Sequence, residues 1–89
     1  MQLIKTSQYE RNENKFFKQH KDLFVRYAKV LKQLQIDPFH SSLRTHKLKG
    51  DLSKYHSCSL TYEYRIVLIL KIVDEEIILV NIGSHDEVY

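Results

Sequence analysis

Eighty-nine residues are enough for one domain, residues 1–89, near the lower limit for a chain that folds around its own core. Two glycines and one proline argue against a low-complexity linker, and the longest apolar run, Ile66 to Leu70, is far short of the ~20 residues a spanning helix needs. The charge is lopsided: residues 1–71 hold all fourteen Lys and Arg against six acids, a net +8, and the rest of the chain adds only five acids to bring the total to +3.

A basic body points to a polyanionic partner, because Lys and Arg neutralise phosphates and release counterions. The plainer reading is a solvated, lysine-rich helical surface. A single cysteine, Cys58, excludes an internal disulfide framework and fits a reducing cytoplasm. The opening "MQLIKTSQYE" lacks the charged-then-apolar layout of a signal peptide. No membrane association is expected.

In chain order, "QLIKTS" (2–7) alternates weakly and predicts a short first strand. Ser7 with Glu10 has the spacing of a capping box, so a helix is expected to start there, with Phe16 and Phe17 at its buried end. Leu23, Phe24, Tyr27, Ala28, Leu31 and Leu34 recur at three- and four-residue steps and predict a second helix with one apolar stripe. Pro38 marks its stop. Residues 37–56 carry no helical or strand period and read as an irregular connector, the kind of long loop that often carries function.

Three strands follow. "SCSLTY" (57–62) sets Cys58, Leu60 and Tyr62 on one face and Ser57, Ser59 and Thr61 on the other. "RIVLILKI" (65–72) is β-branched and apolar, "VDEE" is a turn, and "IILVNI" (77–82) closes the set. The whole predicts an α+β fold: two N-terminal helices packed on one face of a small, twisted, mainly antiparallel sheet in the order β-α-α-β-β-β.

Few residues are suited to chemistry. His46, His56, His85 and Cys58 have no metal-ligand spacing, so neither a metal site nor any other cofactor is expected. Cys58 alternates with Leu60 and reads as buried and structural rather than nucleophilic. His56 goes with it; His20 and His40 are expected to be solvated. Three features remain: Arg65 at the start of the most apolar strand, His46 among Lys47 and Lys49, and "GSHDEVY", which carries His85 and Tyr89 just past the last strand. Two imidazoles can share acid and base roles near neutral pH. An arginine can stabilise phosphoryl charge, and a tyrosine can stack a base. The set describes an RNA-cleaving site.

The stretch "HKLKGDLSKYHSCSLTYEYRIVLIL" followed by "IGSHDEVY" resembles the RelE/ParE superfamily of bacterial toxins, and most of all its messenger-RNA interferase branch, typified by RelE, YoeB and YafQ. The "L-x-G-x-L" element, the "Y-R-I-V" strand start and the "G-S-H" ending carry the likeness. It implies a RelE-like fold and a toxin that cuts messenger RNA on the ribosome, by attack of the 2′-hydroxyl and without a metal. It also implies an antitoxin as partner.

By the same resemblance His46 falls where YafQ has a catalytic histidine and YoeB its glutamate base. Arg65 matches the arginine on the scissile phosphate, His85 the C-terminal catalytic histidine and Tyr89 a C-terminal aromatic. Glu63 matches an acid two residues before the arginine, found in both YafQ and YoeB, and is counted with the catalytic set. Lys47, Lys49 and Lys54 are expected to contact RNA phosphates. The chain departs from the pattern at Ser59, on a strand where YafQ has a further histidine and RelE has lysines; Ser59 is left as an uncharged RNA contact. Ordinary structural roles compete with each reading: a loop histidine for His46, an ion pair with Glu63 for Arg65, and core sealing for Tyr89. The competing functions are a ParE-like toxin that binds DNA gyrase without catalysis, and a generic basic RNA-binding domain.

Overall fold

The computed structural model describes residues 1–89. The chain runs β1 (Gln2–Lys5), α1 (Ser7–Gln19), α2 (Phe24–Ile36), β2 (His46–Lys47), β3 (His56–Ser59), β4 (Tyr64–Lys71), β5 (Glu76–Ser84) and α3 (His85–Val88). The strands form one sheet in the order β1-β5-β4-β3-β2. β2 to β5 pair antiparallel, and β1 alone is parallel, Gln2 opposite Glu76. This is the α+β, mainly antiparallel arrangement expected from the pattern, with α1 and α2 on one face.

Local chemistry explains the element ends. Thr6, not Ser7, caps α1: its Oγ1 accepts the Tyr9 N–H at 3.1 Å and its hydroxyl donates to Leu79 O at 3.0 Å. The cap therefore also ties the helix start to β5. α2 stops at Ile36, two residues before Pro38. The expected irregular connector holds two helical turns, Ser41–Leu43 and Gly50–Leu52, and the two-residue edge strand β2.

The core lies between the helices and one sheet face. Tyr9, Phe16, Tyr27 and Leu34 meet Cys58, Leu60, Ile66, Leu68, Ile77, Leu79 and Ile82. Phe24 of the expected apolar stripe stays 57% exposed, so α2 buries only part of it. Two tyrosine hydroxyls enter the core and are satisfied there. Tyr9 Oη pairs with Tyr27 Oη at 2.7 Å, and Tyr27 donates to Glu13, which Lys5 holds at 2.9 Å. Burial pushes both phenols well above their ordinary range, so they stay protonated.

Strand alternation then sorts the remaining side chains. Cys58 sits opposite Ile66 on the core face, so Ser57, Ser59, Arg65 and Val67 point to the other face, away from the core. Ser57 and Val67 are nonetheless buried. α3 lies against β4 and β5 on this side and brings the end of the chain with it. Strand β5 runs to Ser84, two residues beyond the expected end at Ile82.

Candidate functional site

The face opposite the core gathers polar groups from four elements. Arg65 opens β4 across from Ser59. Its Nη1 donates to Ser59 Oγ at 3.1 Å, Thr61 O at 2.7 Å and Tyr64 O at 3.4 Å. Nε and Nη2 have no partner within the chain, so one edge of the guanidinium remains for a ligand. No ion pair joins Arg65 to Glu63; the acid is exposed in the β3–β4 turn.

The tail reaches the same face. The Tyr89 hydroxyl donates to Ser57 Oγ, and the His85 ring meets the Tyr89 ring edge-on, centroids 4.5 Å apart. Ser57 is in turn the register partner of His46 on β2. His46, Ser57, Tyr89 and His85 thus form a continuous series, with Ser59 and Arg65 one pleat further along. His46 Nδ1 lies 3.1 Å from Arg44 O. A carbonyl can only accept, so Nδ1 carries the proton, and in the neutral ring Nε2 is the free lone pair. That is the protonation pattern of a general base aimed at solvent. His85 Nδ1 lies 3.5 Å from Asp86 Oδ1, both side chains in solvent.

A capping box fixes the tail. Glu87 Oε1 accepts the Ser84 N–H at 2.9 Å, Ser84 Oγ accepts the Glu87 N–H at 3.4 Å, and the first of these holds the Glu87 carboxyl below its usual range. The turn folds back onto Gly83 so tightly that an added Cβ would lie 3.2 Å from Glu87 Cβ and 3.4 Å from Val88 Cγ1.

The lysines stand apart from this cluster. Lys47 is exposed and, by register with His56, belongs to the face opposite His46; Lys49 and Lys54 flank the Gly50–Leu52 turn. Lys54 Nζ lies 5.1 Å from the Tyr55 ring. They rim the β2 edge of the sheet.

Two histidines differ from expectation or sharpen it. His20 is not solvated: it is half-buried between Phe16 and Tyr64, with ring centroids 4.5 and 4.7 Å away. His56 packs against Phe39 and is held below its ordinary pKa, first by burial, then by Lys47 and His46. His40 is exposed, and its Nδ1 accepts the Ser42 N–H. Cys58 is fully buried and its thiol is pushed up to about 12, so it is no nucleophile. Tyr62 leaves the expected Cys58–Leu60 face, because β3 ends at Ser59 and the next four residues turn. Ser57 was visible only as one of three small polar residues on a strand face; nothing in the sequence marks it as the anchor of Tyr89.

The family model for the bacterial toxin of type II toxin–antitoxin systems, YafQ, matches residues 1–89. The chain belongs to this family. No curated protein matches the sequence. Among solved structures, the metal-bound toxin from Helicobacter pylori superposes with TM-score 0.84 at 24% identity, over 100% of this chain and 99% of that one. YafQ from E. coli gives 0.83 at 15% identity, over 98% and 96%. A YoeB/ParE toxin from Agrobacterium tumefaciens gives 0.81 at 19% identity, over 96% and 99%. At these identities the likeness is one of fold, the RelE-like fold, and the family match makes the chain a type II toxin of the YafQ and YoeB kind.

For a toxin of this family the close approach at Gly83 has a direct consequence. Gly83→Ala should lift the turn that carries His85 and Tyr89. For the role proposed for these rings below, a displacement of about 1 Å would cost about 10²-fold in rate, whereas the overpacking costs about 1–3 kcal/mol of stability. Growth inhibition on induction should fall steeply, while the melting curve of the purified protein stays cooperative.

Proposed function

We propose that the toxin is an endoribonuclease that cuts messenger RNA on the ribosome, in the cytoplasm, as one domain. The observation that carries this reading is the continuous series His46, Ser57, Tyr89, His85 beside Ser59 and Arg65, on the sheet face that α1 and α2 leave open. RNA supplies its own nucleophile, the 2′-hydroxyl next to the scissile phosphate. His46 Nε2 takes that proton, and His85 protonates the leaving 5′-oxygen. The oxygen of the 2′-hydroxyl bonds to phosphorus as the P–O5′ bond breaks, leaving a 2′,3′-cyclic phosphate and a 5′-hydroxyl. The free edge of Arg65 stabilises the extra negative charge at phosphorus. Ser59, bonded to Arg65, sets the guanidinium in place and can turn its own hydroxyl to a phosphate oxygen. Tyr89 anchors the tail through its hydroxyl and offers a ring, 40% exposed, to a splayed base. Glu63 is left as a rim acid. No divalent metal enters these steps.

Two related toxins have been solved with antitoxins, in the E. coli DinJ–YafQ complex and in the YoeB–YefM complex from Staphylococcus aureus. These support a cognate antitoxin for this chain too, a protein whose flexible segment folds over the basic face and covers the site. Mapping RNA ends in a translating extract tests the reading. Cuts within codons of translated messages are expected; DNA damage with intact RNA would assign the protein to gyrase poisoning instead.

Lys47, Lys49 and Lys54 are proposed to hold phosphates and set register without reading sequence. Lys47→Gln with Lys49→Gln should weaken RNA binding and reduce the slope of log K against log salt by about 1.4, at ~0.7 per phosphate on a single strand. A titration at several salt concentrations measures this directly.

A further inference from the structure

A second cluster of cations adjoins this site. A groove of about 830 Å³ runs between α2, the Ser41–Leu43 turn and the end of β3, and Arg26, Lys29, Arg44 and Arg65 line it with Asp22 as the lone acid. Three of the four arginines in the chain, Arg26, Arg44 and Arg65, face this one groove, and guanidinium is the side chain that best matches phosphate geometry.

We infer that this groove is a track for the phosphates of single-stranded RNA on one side of the cut, with Tyr62 as a stacking platform at its rim. The inference rests on the ribonuclease reading for its substrate, but the groove has its own geometry. Arg26 is pre-oriented: its Nε donates to Leu60 O at 2.8 Å, which leaves both Nη groups without a partner in the chain. Arg44 stands in the left-handed region at φ 51°, where a non-glycine residue is uncommon, and its carbonyl is the group that holds His46 Nδ1. Arg65 belongs to both places. The groove therefore touches the reacting site at two points, and a strand whose scissile phosphate sits on Arg65 can continue into it. Tyr62 is 89% exposed beside these cations, a flat ring with no structural contact to explain it. Cations along a channel with an exposed aromatic are the elements of sequence-tolerant single-strand binding.

The test uses the whole protein and RNA oligonucleotides made uncleavable by a 2′-deoxy sugar at the cut position: one trinucleotide spanning the cut and one twelve-nucleotide strand extended on both sides. The exposed residues are changed, as Lys29→Gln with Arg44→Gln, and separately as Tyr62→Ala. Both variants should bind the long strand about tenfold more weakly, and the double variant should lose about 1.4 in salt slope, at ~0.7 per phosphate. Neither should change the trinucleotide. Unchanged affinity for the long strand, an equal loss on the trinucleotide, or no binding of either strand by the unmodified protein would overturn the assignment. So would weakened binding of polyglutamate with RNA binding intact, which would give the groove to an acidic protein partner. Loss of long-strand binding together with failure to cut all-ribose RNA would keep the track and reject the ribonuclease; cutting with no effect of the groove variants would do the reverse.

Discussion

His85→Ala and His46→Ala should each abolish growth inhibition, with cleavage of RNA falling by about 10²–10⁴-fold per imidazole. His46 is the register neighbour of Ser57, which holds Tyr89 beside His85, and the proposed reaction gives each ring one end of the phosphodiester. His46 is assigned the base because the Arg44 carbonyl fixes its proton on Nδ1 and leaves Nε2 free. His85 is assigned the acid because it stands on the chain end that Tyr89 and the Ser84–Glu87 capping box hold against the sheet. Both rings are exposed, so stability should change by no more than about 0.5 kcal/mol. Thermal melts of the purified variants, run beside the cleavage assay, separate lost chemistry from lost fold. His20→Ala is the contrasting case: that ring is packed between Phe16 and Tyr64, and its loss should lower the melting temperature more than the specific activity.

Arg65→Ala should be comparably severe, about 10²–10³-fold, the usual cost of removing one preorganised donor from developing charge. The residue also has a structural role that the assay must separate. Nη1 holds Ser59 Oγ and the carbonyls of Thr61 and Tyr64; Tyr64 O keeps the N–H groups of Leu60 and Thr61, but alanine takes this donor from Ser59 Oγ and Thr61 O at a cost of about 1–3 kcal/mol. Arg65→Lys keeps the charge but cannot bond the turn and the phosphate together, since an ammonium is a point charge without the planar fork. It should recover stability in part and activity hardly at all. Ser59→Ala should have a smaller effect, because it removes one of three bonds that hold Nη1 and leaves those to Thr61 O and Tyr64 O.

Strands β1, β3, β4 and β5 and the two N-terminal helices were legible because each carries a local signal, among them alternation in residues 57–62, β-branching in 65–72 and an apolar stripe from Leu23 to Leu34. Alternation put Ser57 and Ser59 on one strand face, and the register that sets Arg65 opposite Ser59 brings the guanidinium to that face. The misses share a cause. Two residues, His46 and Lys47, have no period, so β2 could not be read as a strand. Thr6 and Ser7 are equivalent as helix caps until Leu79 supplies a tertiary acceptor for Thr6. A histidine at a helix end looks solvated unless the neighbours of distant Tyr64 are known. The bond from Tyr89 to Ser57 spans 32 positions and leaves no local mark. The resemblance placed the candidate site residues along the chain; only the folded chain shows that Arg44, through its carbonyl, supports His46 two residues on and also lines the adjoining groove.

A single sugar atom tests the chemistry most directly. An RNA that is cut by the toxin is remade with a 2′-deoxy sugar on the 5′ side of the cut and presented under the same conditions, with chelator present. The all-ribose strand should be cut to a 2′,3′-cyclic phosphate or 3′-phosphate and a 5′-hydroxyl, and the substituted strand should survive intact. Cleavage of the substituted strand at the same bond would contradict attack by the 2′-hydroxyl and, with it, the roles given to His46 and His85.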